Sequence, residues 1–97
     1  MKKEKFRKIR GAILKFLAAA HPGAVDSKVL HYLLDDVRYT MKEDEFSSHV
    51  IYLIELGYVR KEERTAPGVL LTMYVITPQG LNLLDGFIAD VGVDVRF

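Results

Sequence analysis

The chain has no cysteine and no tryptophan, and only three prolines occur among its 97 residues. Without cysteine, disulfides, thiolate metal sites and a cysteine nucleophile are all excluded. A reducing, cytoplasmic location is compatible with this composition, and we expect it. No apolar run approaches the roughly 20 residues that span a bilayer, so we expect no membrane association.

Little in the chain suits catalysis or metal binding. The three histidines, His21, His31 and His49, are scattered, and no two of them stand at the i, i+4 spacing of a helical zinc motif. Ser48 precedes His49, but adjacent residues of a helix point in different directions. A glycine-rich phosphate loop is also missing. We therefore expect no enzyme activity, no cofactor and no metal site.

Charge is unevenly distributed, although the formal net charge is only +1. Residues 1–15 contain seven Lys or Arg and one acid, Glu4, so they carry +6 and the remaining residues carry −5. We interpret residues 1–5 as a basic arm, which would meet a polyanion or an acidic partner. The alternative is a solvated helix face with a frayed basic end.

The N-terminal stretch also has the outline of a secretory signal, with a basic start followed by apolar and small residues. Lys15 interrupts the apolar run, however, and apolar residues recur at helical spacing. These residues are Phe6, Ile9, Ile13, Phe16, Leu17 and Ala20. The spacing predicts a first helix that packs into the domain.

A second helix is expected after the "HPG" stop at residues 21–23, because proline cannot extend a helix and glycine accepts a left-handed turn. Asp26 or Ser27 would cap its start. Its apolar face consists of Val29, Leu30, Leu33 and Leu34.

The third helix is predicted from near Met41 to Leu56. "TMKE" has the form of a capping box, in which the Thr40 hydroxyl bonds the amide of Glu43. Gly57 stands where a C-terminal cap is needed. The residues expected to face inward are Phe46, Val50, Leu53 and Ile54.

A hairpin should follow, with strands at residues 58–64 and 69–76. Pro67 and Gly68 suit the two central positions of a type II turn. Thr77 then serves as N-cap of a fourth helix, with Pro78 at its first position. The apolar stripe of that helix is Leu81, Leu84, Phe87, Ile88 and Val91.

This order of elements resembles the winged helix-turn-helix family. "VIYLIELGYVRKE" resembles a recognition helix running into the wing, and "YVITPQGLNLL" resembles the step from the wing to the last helix. The tail "GFIADVGVDVRF" is similar to that of small winged-helix proteins of Mu-like prophages, often called ArsR-type regulators. The resemblance covers essentially the whole chain. It implies one α+β domain over residues 1–97, with three helices, a two-stranded wing and a C-terminal helix.

The resemblance places the third helix in the major groove of double-stranded DNA. The positions that match its base-reading face are Lys42, Glu45, Ser47, Ser48 and Tyr52, of which all but the acid suit DNA contact. The stretch "KEDE" that opens the helix carries −2, which opposes binding to phosphates. The same acids stabilise a helix start in any protein. Metal sensing of the ArsR kind does not carry over, because the thiolate or clustered histidine ligands are missing.

The wing offers Arg60, Lys61 and Arg64 for phosphate or minor-groove contacts. Two glutamates nearly cancel these cations. Strand alternation places Arg60, Glu62 and Arg64 on one face with net +1, and leaves the other face neutral. A solvated hairpin is the alternative. Further phosphate contacts are expected from the basic start of the chain, at Lys2, Lys3, Lys5 and Arg7.

The tail alternates apolar and polar residues from Val91 to Phe97, which is a strand-like period. We expect residues 92–97 to pair with a partner or with a sheet edge, or else to fray. Four apolar residues lack an obvious burial site in a lone domain, which favours a homodimer built from the first and last helices and the tail. They are Leu83, Phe87, Val93 and Phe97.

These patterns favour a DNA-binding transcriptional regulator of phage or bacterial type. The alternative keeps the fold but assigns it to protein–protein interaction, without nucleic acid.

Overall fold

The computed structural model describes residues 2–96, and of Lys2 it describes the backbone alone. The elements, in chain order, are α1 (Lys2–Ala20), β1 (Val25–Asp26), α2 (Ser27–Asp36), α3 (Glu43–Glu55), β2 (Val59–Ala66), β3 (Val69–Ile76) and α4 (Pro78–Leu84). The strands form one antiparallel sheet in the order β1, β3, β2. No helix within residues 2–96 is long and apolar enough to cross a membrane.

The core lies where the first three helices meet the base of the β2–β3 hairpin. The expected apolar faces of α1 and α3 supply most of it, because their spacing turns one side of each helix inward. Fully buried members include Ile9, Ile13, Leu17, Leu30, Leu34, Phe46, Val50, Leu53 and Ile76. Beyond the paired residues Lys61 and Tyr74, the hairpin leaves the core and projects as the wing.

Local capping explains several element boundaries. Asp26 accepts hydrogen bonds from the backbone nitrogens of Lys28 and Val29 and caps α2. Thr77 accepts from the Gly80 nitrogen and caps α4. Gly57 takes a φ of 82° after α3, and Gly68 takes 77° in the hairpin turn, a region that glycine adopts without strain. These positions agree with the sequence patterns.

The predicted capping box at Thr40 is wrong. The Thr40 hydroxyl donates instead to Asp35 Oδ1 at 2.5 Å, which ties the turn back to the end of α2. Helix α3 therefore begins at Glu43, after Lys42 as an N-cap without a side-chain bond. Its first turn holds Glu43, Asp44 and Glu45, whose charges favour the positive end of the helix dipole.

The short strand β1 lies outside the predicted elements. Val25 pairs with Tyr74 and Asp26 with Met73, so the sheet has three strands instead of the two of the wing alone. A strand of two residues, the second of which is the N-cap of α2, carries no recognisable strand period. The partner strand is about 50 positions away along the chain, and pairing with it creates β1.

The predicted fourth helix is too long, and the tail does not pair with the domain's own sheet. Helix α4 ends at Leu84, and Gly86 follows with a φ of 84°. Residues 92–96 are in no strand. The tail crosses α1, where the Asp94 nitrogen donates to the Arg7 carbonyl at 3.0 Å. A Cβ on Gly11 would lie 1.8 Å from the Asp94 carbonyl oxygen, so this crossing requires glycine.

Two residues assigned to a dimer contact are instead part of the domain's own core. Leu83 and Val93 are both buried by the packing of α4 and the tail on α1. Phe97 lies outside the described residues, and Phe87 is exposed.

Candidate nucleic-acid interface

Helix α3 presents one row of exposed side chains along the side opposite the core. Phe46, His49, Val50 and Leu53 are buried on its inner side. The opposite side exposes Asp44, Ser48, Ile51 and Glu55, which we call the outer stripe. Their spacings of four, three and four residues align them along the helix axis. The stripe combines two carboxylates, one hydroxyl and one aliphatic side chain, and contains no cation.

The other predicted base-reading residues of α3 lie around this stripe. Ser47 is half-buried at its edge, and Lys42 is exposed at the N-cap of the helix. Lys42 thus places one positive charge beside the three acids of the first turn. Glu45 is half-buried on the opposite edge, with Oε2 3.8 Å from His49 Nε2.

Tyr52 does not belong to the outer stripe, contrary to our expectation. Its hydroxyl donates to Asp90 Oδ1 at 3.3 Å, and the Arg10 guanidinium lies 3.7 Å from its ring centroid. A Cβ on Gly92 would lie 1.9 Å from the hydroxyl oxygen. The half-buried ring therefore packs against Arg10 of α1 and against the tail, on a flank of α3 beside the outer stripe.

Around Tyr52 lies a polar junction that joins α1, α3 and the tail. Arg10 donates from Nε to His49 Nδ1 at 3.2 Å and from Nη1 to the Gly92 carbonyl at 3.3 Å. Asp90 accepts from the Tyr58 hydroxyl at 2.7 Å and from the Gly92 nitrogen at 2.8 Å. Burial, aided by the bond to Asp90, raises the pKa of Tyr58 to about 12. The junction anchors α3 to α1 and to the tail.

Sequence patterns alone missed most of this junction. His49 falls three residues after Phe46 and four before Leu53, so its helical position indicates burial. Arg10 and Asp90 give no such signal, because the side chains and carbonyl that they bond across the junction are 32 to 82 positions away in the chain. Among residues 2–96, no group of three or more His, Asp or Glu side chains is placed to hold a metal ion.

The wing carries its cations as predicted from strand alternation, but two of them share one acid. Glu62 accepts from Arg60 at 3.0 Å and from Arg64 at 3.1 Å. These bonds hold the pKa of the Glu62 carboxyl below its usual range. The face retains a net charge of one cation, and both guanidiniums remain largely exposed. Lys61 is exposed on the other face of β2.

The basic start of the chain is part of α1 instead of a separate arm. Lys3, Lys5 and Lys8 are exposed on the first turns of the helix. Arg7 is half-buried, bonds Glu4 at 2.6 Å and supports the tail through its carbonyl, so its role is partly structural. The side chain of Lys2 lies outside the described residues. The first turns of α1 thus present several exposed ammonium groups at positions fixed by the helix.

Comparison with known proteins identifies the fold. No protein-family model matches the chain, and no curated protein sequence matches it. The crystal structure of TA0346 from Thermoplasma acidophilum, described as a candidate transcriptional regulator, superposes with a TM-score of 0.66 at 23% identity, over 80% of this chain and 72% of that one. Bacillus subtilis PadR in complex with operator DNA superposes with a TM-score of 0.65 at 18% identity, over 88% of this chain. This chain spans about half of PadR, 49% of its length. These likenesses show that the chain has the α+β winged-helix fold.

Proposed function

We propose that this chain is a DNA-binding transcriptional regulator, in which α3 enters the major groove while cations of the wing and of α1 contact phosphates. The observation that carries the proposal is the superposition on a protein solved with its operator DNA, over 88% of this chain. The phage or bacterial setting, and the kinship with ArsR-type proteins of Mu-like prophages, stay predictions from the sequence.

The distribution of charge supports a division of labour between these elements. Phosphate contacts supply most of the non-specific affinity, and base contacts supply the choice of sequence. Arg60, Arg64 and Lys61 on the wing are exposed, as are Lys3 and Lys5 near the start of α1. The outer stripe has no cation to contribute to phosphate binding. We therefore assign the salt-dependent part of the affinity to the wing and to α1.

Duplex binding measured at several salt concentrations tests this function. Each neutralised phosphate contributes about 0.9 to the slope of log K against log salt. Replacing Lys3 and Lys5 by alanine should flatten the slope by up to about 1.8, which is two contacts. The Arg60→Ala variant should flatten it by less than one full contact, because Glu62 remains beside Arg64.

The Lys15→Gln variant is the control, since it removes one positive charge from the far half of α1. Its slope should match that of the unchanged protein. If Arg60→Ala flattens the slope and the double lysine variant does not, the start of α1 takes no part in binding. Absence of duplex binding at low salt would exclude the regulator function.

A second candidate function is a protein-interaction module, favoured by the apolar segment after α4. Phe87 is 77% exposed and Val91 is 91% exposed, with Ile88 between them. Three exposed apolar side chains within five residues of the chain suit a protein contact. In the regulator, the same segment would form the homodimer contact. In the alternative, it would bind a different protein, and no duplex would be bound.

A further inference from the structure

The outer stripe of α3 has a chemistry that matches particular base edges in the major groove. We infer that the stripe recognises pyrimidines, with Asp44 accepting from the N4 amine of a cytosine and Ile51 contacting the 5-methyl group of a thymine. This inference rests on the proposed function and names the feature of DNA that α3 selects. It gives the acidic helix start a role in recognition that phosphate binding cannot explain.

Asp44 can accept hydrogen bonds but cannot donate them when ionised. Its Oδ1 accepts from the backbone nitrogen of Glu45 at 2.9 Å, and the side chain is exposed. In the major groove, guanine presents two acceptors and thymine presents an acceptor and a methyl group, whereas cytosine presents the N4 donor. Adenine also has a donor, but its N7 acceptor lies beside it and repels a carboxylate. A cytosine is therefore the base that suits Asp44.

Ile51 lies two turns further along the same stripe and is 52% exposed. Its side chain has no polar atom, so it gains nothing from the donors and acceptors of a groove floor. The thymine methyl group is the apolar feature of the major groove. Contact between the two removes apolar surface of both from water.

The spacing of the two side chains sets the spacing of the two bases. Asp44 and Ile51 are seven residues apart, which is roughly 10 Å along a helix at 1.5 Å per residue. Successive base pairs rise about 3.4 Å, so the two bases should stand about three positions apart when the helix follows the groove. Ser48 lies between them, and its hydroxyl can donate a hydrogen bond to a base edge or accept one from it.

The position of the stripe also explains how an acidic helix could be tolerated. The side of a recognition helix that points into the groove faces the base edges, and the two flanking sides face the phosphates. Asp44 lies on the side that would point into the groove, directly opposite the buried side of α3. Glu43 instead lies on the α2 side, where it lines a cleft with His31 and Phe46. We therefore expect removal of the Asp44 charge and removal of the Glu43 charge to change DNA binding in different ways.

Selection of binding duplexes from a randomised pool at low salt, followed by titration of defined duplexes, tests the inference. The selected site should contain a cytosine and a thymine about three positions apart. Replacing that thymine by uracil removes only the methyl group and should weaken binding about fourfold, the loss expected for one buried methyl. In the Ile51→Ala variant the same replacement should have no effect.

The carboxylate is tested by comparing two variants that lose the same charge. Asp44→Asn should lose the preference for cytosine over the other bases at its position. Glu43→Gln should raise affinity for every duplex by the same factor and leave each base preference unchanged. Equal effects of the two variants on base preference would overturn the assignment of Asp44.

The remaining outcomes separate this inference from the proposed function. Binding to duplexes without any base preference, or a selected site without the cytosine and thymine, overturns the inference and leaves a non-specific DNA binder. The inference on Ile51 also fails if uracil weakens binding equally in the unchanged protein and in Ile51→Ala. No binding to any duplex at low salt overturns both proposals together.

Discussion

His49 is an ionisable side chain held inside the domain, with only 1% of its surface exposed. Arg10 of α1 donates to its Nδ1, Glu45 of α3 lies 3.8 Å from its Nε2, and the ring of Phe6 packs edge-on at 5.0 Å between centroids. Because Nδ1 accepts a hydrogen bond from Arg10, the neutral ring carries its proton on Nε2. That buried nitrogen has no hydrogen-bond partner among the described residues.

Acid should destabilise the fold through His49. Burial, followed by the charge of Arg10, lowers its pKa below 6.5, so the unfolded chain binds the proton more readily. The stability that neutral His49 contributes is complete above pH 6.5 and is lost as pH falls from there toward the folded pKa. The advantage of the unchanged protein over His49→Gln should therefore shrink as the pH falls below 6.5.

Denaturant unfolding at several pH values measures this difference in free energy of unfolding. His21→Gln is the control, because it removes an exposed imidazole at the end of α1 that is not part of the core. A constant difference between the unchanged protein and His49→Gln across the same range would show that His49 does not titrate differently on folding.

The C-terminal segment after α4 is the element that depends most on single polar contacts. It has no regular secondary structure in residues 85–96, yet it bonds α1, α3 and the start of β2. Its Asp90 carboxylate receives the Tyr58 hydroxyl at 2.7 Å. A hydrogen bond to a charged group contributes more than a neutral one.

Tyr58→Phe should lower the free energy of unfolding by about 1–2 kcal/mol, since it removes this donor while keeping the ring. It should also speed hydrogen exchange at the amides of Gly92 and Asp94. Tyr32→Phe is the matched control, because Tyr32 is exposed on α2 and its loss of a hydroxyl should change neither quantity. Equal stability of both variants would show that the Asp90 contact contributes nothing measurable.

Elements with a local cause were predictable from the sequence, and elements with a distant cause were not. The strand at Val69–Ile76 and the start of α4 at Thr77 follow from side chains within a few residues. Strand β1 exists because Val25 meets Tyr74, and the tail is placed by Arg7 and Gly11. Neither contact can be inferred from the hydrophobic pattern of its own segment. A single sequence therefore indicates the winged-helix order of elements, but it does not indicate the pairing of β1 or the path of the C-terminal tail.

The same distinction applies to the candidate interface. Exposure of Ser48 follows from helical spacing alone, and so does the pairing of Arg60 and Arg64 around Glu62 on one face of a strand. The packing of Tyr52 against the tail was not predictable, because a helical wheel does not show contacts with a distant segment. The tail's approach depends on Asp90 and Gly92, which are roughly 40 positions further along the chain.

Assembly of the whole molecule is predicted to depend on the exposed segment Phe87 to Val91. With Leu83 and Val93 buried in the domain itself, Phe87 and Val91 are the exposed apolar residues of the described C-terminal region that best suit a two-fold contact. Replacing both by serine should shift the sedimentation of a homodimer to that of a monomer. It should leave the melting temperature of the monomer nearly unchanged, since neither side chain is part of the core.

Leu70→Ser provides the control for this experiment. Leu70 is similarly exposed, but it lies near the tip of the wing, away from the proposed contact. Its sedimentation should match that of the unchanged protein. An unchanged protein that remains monomeric at high micromolar concentration would contradict the dimer, and would weaken recognition of paired half-sites about one duplex turn apart.

At Gly11, helix propensity alone gives the wrong prediction of how a substitution changes stability. Alanine is favoured over glycine inside a helix by roughly 1 kcal/mol, so position 11 in the middle of α1 looks like the first one to improve. The new methyl group would occupy the space of the Asp94 carbonyl, 1.8 Å away. The improved helix would displace the tail and expose Val93, so a substitution that strengthens the isolated peptide would weaken the protein.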